Sequence, residues 1–293
     1  MRGDERMGGG TTVADSWQDW VGRTEQAHDR VSPTPARALA ATLDREDLRE
    51  VGEGDVLPPT WIWLYFLPLV ASSGLGPDGH PQRGGFLPPV PLARRMWAGS
   101  RCTFHAPVRV GDALTRTSTI AKVAQKTGGA GDMVFVTVRH ETARGDTLLI
   151  EEEQDLVFLA IPERFSPPPP TPLPPCDWSE PVPLDPVRLF RFSALTFNGH
   201  RIHYDRTYAT EVERYPGLVV HGPLQAVLLF DAATRRAPER RPMSFAFRGL
   251  RPLFDHDAVS VSGRARDADA WELFTANGED AVGMQATLGW APA

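Results

Sequence analysis

The stretch Phe192-Ser-Ala-Leu-Thr-Phe-Asn-Gly-His-Arg-Ile-His-Tyr-Asp205, followed by Gly217-Leu-Val-Val-His-Gly-Pro-Leu-Gln225, decides how this chain is read. An Asn, two His and an Asp fall within eight residues, and a Gly-Pro pair then opens a strongly apolar run. Pro223 suits a first helical turn, so residues 223–234 are expected to form a buried helix. Gly222 stands where free backbone N–H groups and the positive end of that helix converge, a place that can polarise a carbonyl and hold an enolate oxygen. A helix start with Gly and Pro also arises for conformational reasons alone.

His203, five residues after Asn198, has the chemistry to take a proton from water and return it elsewhere. Asn198 can hold that water but cannot accept its proton. An isolated histidine is more often a satisfied structural group. His200 shares a helical face with His203 and would be half of a metal site, but no Glu or third His stands at ligand spacing, so no metal is expected. His221 borders the glycine and shapes the turn. Asp205 has Arg201 and Arg206 as partners, and Tyr204 reads equally as packing or as a substrate contact.

Working outward, a short strand is expected over 187–192, and strands over 243–250, 259–265, 271–275 and 282–290 after the buried helix. Residues 162–186 hold 11 of the 28 prolines and read as an extended connector. The first half shows the same plan. An amphipathic helix is expected over 13–30, a second helix over 35–43, and a third, apolar on nearly every side, over 61–71. Strands follow over 100–108, 113–125, 132–142 and 146–159, with Val134, Val136 and Val138 alternating as in a half-buried antiparallel strand. The glycine run 128–131 is a hairpin turn rather than a phosphate cradle, because no helix follows it. Trp61, Trp63, Tyr65, Phe66, Phe86 and Trp97 either line an apolar pocket or form core. Phe104-x-Ala-Pro-Val-x-Val-Gly-Asp-Ala113 and Phe247-x-Gly-Leu-x-Pro-Leu-Phe-Asp-His-Asp-Ala258 occupy matching places after the two apolar helices, which points to duplication.

Composition narrows the classes. The chain has 293 residues, a formal net charge of −6 and no Lys/Arg block, which argues against a nucleic-acid partner. Two unrelated cysteines build neither a disulfide framework nor a Cys-based zinc site, which suits a reducing cytoplasm. The longest apolar stretch, 61–70, is too short to span a bilayer, and the N-terminus lacks the apolar core of a signal peptide, so no membrane partner is expected. No dinucleotide loop, phosphate loop or Gly-x-Ser-x-Gly elbow is present.

Together, Asn198-x4-His203-x-Asp205 and Gly217-x3-His221-Gly222 resemble the motifs of the MaoC-like, R-specific enoyl-CoA hydratase family of the hotdog fold. The resemblance covers nearly the whole chain from Thr11, helped in the first half by Phe86-Leu-Pro-Pro-Val90 and Arg94-Arg95-Met96-Trp97. Two positions depart from the family pattern: Asn198 replaces its catalytic Asp, and Arg201 its Pro. The wording is similar to a subgroup of two fused hotdog units that includes mesaconyl-C4-CoA and itaconyl-CoA hydratases and mitochondrial-type hydroxyacyl-thioester dehydratases.

That resemblance implies an α+β double hotdog, two units each with a long helix wrapped by an antiparallel sheet. Residues 1–12 would be a disordered N-terminus, 13–161 a catalytically silent unit, 162–186 the linker and 187–293 the unit bearing the motif. It implies a hydro-lyase acting on a coenzyme A thioester, with His203 activating water, Asn198 positioning it and Gly222 stabilising the enolate. His200, Tyr204, His221, Arg248, Arg251 and Trp61 would line the substrate, with Arg94 and Arg95 as further candidates for a phosphate or a distal carboxylate. Coenzyme A belongs to the substrate, so no separate cofactor is implied, and the chain would act as a monomeric double hotdog or a homodimer. A branched dicarboxylic enoyl-CoA leads. A monocarboxylic 3-hydroxyacyl thioester on coenzyme A or acyl-carrier protein, or a non-catalytic thioester-binding role, remain the alternatives.

Overall fold

The computed structural model describes residues 17–128 and 131–292. The expected disordered segment 1–12 and the centre of the glycine turn lie outside these residues, although Gly128 and Gly131 pair directly across that turn. The first half contributes β1 (Thr24–Arg30), β2 (Arg94–Phe104), β3 (Ala113–Gly128), β4 (Gly131–Arg144) and β5 (Thr147–Leu159). The second contributes β6 (Trp178–Val182), β7 (Pro242–Gly249), β8 (Val259–Ala265), β9 (Ala270–Ala276) and β10 (Val282–Trp290). They form a single ten-stranded sheet in the order β1-β3-β4-β5-β2-β7-β10-β9-β8-β6.

The halves meet where β2 pairs antiparallel with β7, from Gly99 opposite Arg248 to Thr103 opposite Ser244. Glycine is required at that junction, since a Cβ on Gly99 would overlap the Phe247 carbonyl. Three α-helices complete the fold among the described residues: α1 (Pro33–Thr42), α2 (Pro186–Leu195) and α3 (Gly222–Arg236).

Nearly every side of α3 is buried, including Leu224, Ala226, Val227, Leu229, Phe230 and Ala233. Each Leu or Phe so placed contributes about 1.5–3 kcal/mol relative to exposure. The helix packs on β7 to β10 of its own half and also on β2 of the other. Phe230 stands edge-on to Phe245 at 5.3 Å and to Phe104 at 5.8 Å, bridging the two halves. Arg235 and Arg236 close the helix by pairing with Glu180 of β6, where the helix dipole favours cations.

Three expected elements take a different form. Residues 24–30 of the expected first helix are a strand, because Gly22 (φ +86) ends a short 3-10 turn and β1 then pairs along β3. The apolar helix over 61–71 is reduced to a 3-10 turn, Pro59–Leu64. Phe66 adopts φ 56, and Pro68 bars its predecessor from helical geometry. The strand expected over 187–192 is α2. Its signal is Asp185-Pro186: the Asp185 side chain accepts the Arg188 N–H at 2.9 Å, and Leu189, Phe192 and Ser193 share the buried face.

Candidate active site

After α2 the chain turns sharply. Phe197 lies at φ 49, the Asn198 N–H donates to the Ser193 carbonyl (2.8 Å), and Asn198 Oδ1 accepts the His200 N–H (3.0 Å). This local ring is the short-range bonding that Asn favours. It commits the amide oxygen and leaves the Asn198 NH2 to donate.

A 3-10 turn, Arg201–His203, then presents His203, which is 8% exposed. Its Nδ1 lies 2.7 Å from the Val219 carbonyl. A carbonyl only accepts, so Nδ1 carries the hydrogen and Nε2 holds the lone pair, the tautomer of a base. The His203 ring stacks on His221, with centroids 3.7 Å apart and planes at 18°. Burial, then the neighbouring His221 and His200, hold His203 well below the ordinary histidine range. Burial likewise takes His221 down to about 3. Both rings of the stack are therefore neutral at physiological pH. His221 Nε2 shares a 2.8 Å hydrogen bond with the Ser193 hydroxyl, tying the start of α3 to α2.

Gly222 follows as the first residue of α3, and its N–H has no protein acceptor among the described residues. It stays partly exposed, and a Cβ there would lie 3.5 Å from the Trp97 carbonyl of β2. The site thus joins a lone-pair nitrogen, an amide NH2 and an unspent helix-terminal N–H, the parts needed to activate water and stabilise an oxyanion.

The first half enters this site through a loop. The Asp78 carbonyl accepts the Arg201 N–H (2.9 Å), and Gly79, at φ +86, lies against Gly199 so closely that a Cβ on either would overlap the other's backbone. Asp78 accepts both the His80 N–H (3.0 Å) and the His80 Nδ1–H (3.1 Å). Burial, then Arg95, lower His80 to about 3, against the opposing pull of Asp78. The His80 ring lies 4.1 Å from His200, which in turn meets His203 edge-on at 5.4 Å. Four of the eight histidines therefore form one contiguous group. His200 Nε2 points to Glu213 Oε1 at 3.5 Å, and Glu213 is held by Arg94 Nε at 2.8 Å.

The family model for hydroxyacyl-thioester dehydratase type 2 matches residues 60–255, which contain every group just described. The chain belongs to that family. A mesaconyl-C4-CoA hydratase of Chloroflexus aurantiacus is 45% identical over 93% of this chain and 97% of its own length. The mitochondrial hydroxyacyl-thioester dehydratase type 2 of Schizosaccharomyces pombe is 27% identical over 70% of this chain and 77% of its own. Among solved structures, a MaoC-like dehydratase from Phytophthora capsici superimposes with a TM-score of 0.68 at 15% identity, covering 96% of this chain and all of that one. A Mycobacterium tuberculosis protein with a double hotdog fold does so with a TM-score of 0.57 at 15% identity, over 92% and 96%. The fold is a double hotdog, and the chain is a hydro-lyase.

For this dehydratase-family chain, the residues expected at the site separate into two groups. His203, Asn198, Gly222, His200 and His221 gather as described. Trp61 instead has no exposed surface: its Nε1–H donates to Asp231 Oδ2 of α3 at 3.3 Å, so it braces the central helix. Tyr204 donates its hydroxyl to the Gly199 carbonyl at 2.8 Å and supports the turn. Arg248 is exposed on β7 beside Gln285. Arg251 donates to the Pro168 carbonyl of the connector at 2.9 Å and borders a surface cleft with Phe165 and His256.

Asp78 and His80 escaped sequence reading. Their only signal is one Asp and one His within a Gly/Pro-rich loop, and loops of that kind often carry function. They also bring ligating atoms of Asp78, His80 and His200 within 4.8 Å of one another, a trio hidden by its spacing in the chain. The hydrogen bonds to His80 and Glu213 already occupy the Asp78 carboxylate and His200 Nε2.

Proposed function

We propose that this chain adds water reversibly to the double bond of a short branched dicarboxylic enoyl-CoA, mesaconyl-C4-CoA giving citramalyl-CoA, with itaconyl-CoA as the related candidate. The observation that carries this reading is the full-length similarity to a mesaconyl-C4-CoA hydratase, combined with a base, an amide donor and an open helix N–H at one site.

Water donates one hydrogen to His203 Nε2 and accepts from the Asn198 NH2. As its oxygen bonds to the β-carbon, the proton passes to His203 and the π electrons move through the α-carbon to the thioester oxygen. The Gly222 N–H and the helix dipole stabilise that enolate oxygen. When the enolate collapses, the α-carbon takes a proton and the thioester carbonyl reforms. The environment that keeps His203 neutral also makes its imidazolium a strong acid, so the proton is passed on rather than stored. Because Asn198 cannot be an acid, either His203 itself or a neighbouring group delivers it. An acyl-CoA partner and a cytoplasmic setting are part of this proposal. Among the described residues no helix is long and apolar enough to cross a membrane.

The test is hydration of mesaconyl-C4-CoA, itaconyl-CoA and crotonyl-CoA by the purified protein, with products identified by mass. Faster turnover of a dicarboxylic thioester than of crotonyl-CoA is expected. Preference for crotonyl-CoA or longer monocarboxylic chains would overturn the substrate assignment, and acyl-CoA binding without any turnover would overturn the reaction.

A further inference from the structure

Mesaconyl-C4-CoA is a 3-methylfumaryl thioester, so the β-carbon that receives the hydroxyl also bears a methyl group and a free carboxylate. If the proposed function holds, a cation must wait within a few ångströms of the water held by His203. The sequence offers Arg94, Arg95, Arg248 and Arg251, and the structure separates them. Arg94 is consumed by Glu213 in a buried pair, Arg248 stands exposed beside Gln285, and Arg251 ties down the connector.

Arg95 differs from all three. Its guanidinium has no hydrogen-bond acceptor and no carboxylate within 4.0 Å among the described residues, although it is only partly exposed. The strand register says where it points. Arg95 pairs with Phe158 and Trp97 with Leu156, and the irregularity between Trp97 and Gly99 carries these positions onto the same inward face as Ser100, Cys102 and Phe104. Trp97 packs inward against Trp63 and Phe247, and its carbonyl is the nearest atom beside Gly222. Arg95 lies two residues along, roughly 7 Å away.

The first half fills this space with the Pro59–Leu64 turn rather than a long helix. On the other side are Asp78 and His80, and through His80 the ring of His200. Burial lowers Arg95 to about 10, and Asp78 and Arg83 act on it from close by. It remains a cation at neutral pH, incompletely compensated. Both Asp78 oxygens accept from His80, and neither lies within 4.0 Å of the Arg95 guanidinium. Arg83, a second guanidinium nearby, is bonded to the carbonyls of Val90, Leu92 and Ala93 and to no carboxylate. Two guanidinium groups against one carboxylate leave the pocket net positive before any histidine protonates.

We propose that Arg95 receives the free carboxylate of the substrate and thereby selects dicarboxylic over monocarboxylic enoyl thioesters. A planar guanidinium can take a carboxylate through two parallel hydrogen bonds. Neutralising that carboxylate also matters for rate, because an unpaired negative charge on the β-carbon would repel the incoming hydroxide-like oxygen. Arg95 therefore acts on both KM and kcat for such substrates.

The experiment compares kcat/KM for mesaconyl-C4-CoA and for crotonyl-CoA in the full chain and in R95Q, R95K, R248Q and R251Q. In R95Q the ratio of the two is expected to fall roughly 10- to 100-fold, the worth of a charge-assisted hydrogen bond. R95K should recover part of that loss. An unchanged ratio in R95Q, or a shift produced by R248Q or R251Q instead, overturns the proposal while leaving the proposed function intact. A full chain that prefers crotonyl-CoA fails both. Should R95Q not fold, the unaltered protein offered mesaconyl-C4-CoA and its neutral carboxyl methyl ester reads the cation directly. Equal turnover of acid and ester would overturn the proposal.

Discussion

The two halves of this molecule share a sheet but not a centre. In the second half, Gly222-Pro-Leu-Gln-Ala-Val-Leu-Leu-Phe places proline only in the first turn, and a 15-residue helix follows. In the first, Pro58-Pro59-Thr-Trp-Ile-Trp-Leu-Tyr-Phe-Leu-Pro68 is as apolar, yet yields six residues of 3-10 turn. Proline position, rather than hydrophobicity, makes the difference. Two nearly equal apolar runs therefore become a buried helix that begins at Gly222 and a short buried turn packed against it. In the proposed mechanism the first half serves as buttress, and the second supplies the water-activating groups.

The sharpest way to break this division is His203→Ala, which should lower kcat by about 10²- to 10⁴-fold with only a modest fall in melting temperature. An active variant would move the base elsewhere, with His80 as the first alternative.

Arg45→Ala tests the buttress. Arg45 of the first half lies 2.6 Å from Asp231 of α3, and both are buried. Burial, opposed by Arg45, raises Asp231 to about 6, so removing the cation strands a carboxyl in the core. A loss of about 3–5 kcal/mol in urea unfolding is expected, with little change in kcat per folded molecule. Unaltered stability would mean that the halves do not depend on this contact.

Gly79→Ala probes the loop that the first half sends into the site. The substitution strains a left-handed position and overlaps Gly199, costing about 1–3 kcal/mol locally. Activity should fall more steeply than the melting temperature. A parallel decline in both would show that the loop is scaffold only.

A smaller effect comes with pH. His80, His203, His221 and His140 are all held below the ordinary histidine range, chiefly by burial. Below about pH 6.5 the unfolded chain binds their protons and the folded one does not, so their stabilisation is complete above that pH and is lost as pH falls. Asp231, Glu152 and Glu25, raised by burial, act in the opposite sense. The urea midpoint is expected to fall between pH 7 and pH 5, where the four histidines titrate in the unfolded chain, and the buried carboxyls reduce the size of that fall. Urea midpoints at pH 7 and pH 5 would check the sign. The base itself should stay active through pH 6, because His203 is already neutral there.

Least affected would be Tyr204→Phe. Losing one half-exposed hydroxyl bond to the Gly199 carbonyl should cost about 0.5–1.5 kcal/mol at most. A large fall in turnover would place the hydroxyl in the chemistry after all.

Much of this was legible in the chain, because the chemistry of the second half is local. Asn198, His203 and Gly222 stand close in sequence, and their turn residues announce their own geometry. Strands β3 to β5 and β7 to β10 were also readable, from alternation and hairpin glycines, whereas β6 lay hidden inside the stretch read as a connector because its prolines mask the strand pattern. The partners from the first half were not legible. Asp78 and His80 reach the site through contacts with the Gly199–Arg201 turn, above all Gly79 against Gly199, 120 residues apart, and no periodicity encodes such an approach. The helix expected over 61–71 failed because an apolar run alone does not distinguish a helix from a buried turn, and Pro68 was the deciding residue. Asp185-Pro186 carried a cap signal that the proline-rich connector obscured.

The interlocked core also bears on the order of synthesis. The first-half sheet is complete once Leu159 has been made, yet Cys102, Phe104 and Leu149 share one core with the side chains of α3. That helix begins at Gly222, so it leaves the ribosome several seconds later at about 5–20 residues per second. During that interval a concave apolar face and the bare edge of β2 have no partner. The nascent chain should therefore remain protease-sensitive when stalled after residue 159 and become resistant only once β7 has emerged. Resistance at the earlier stall would show that the first half folds unaided.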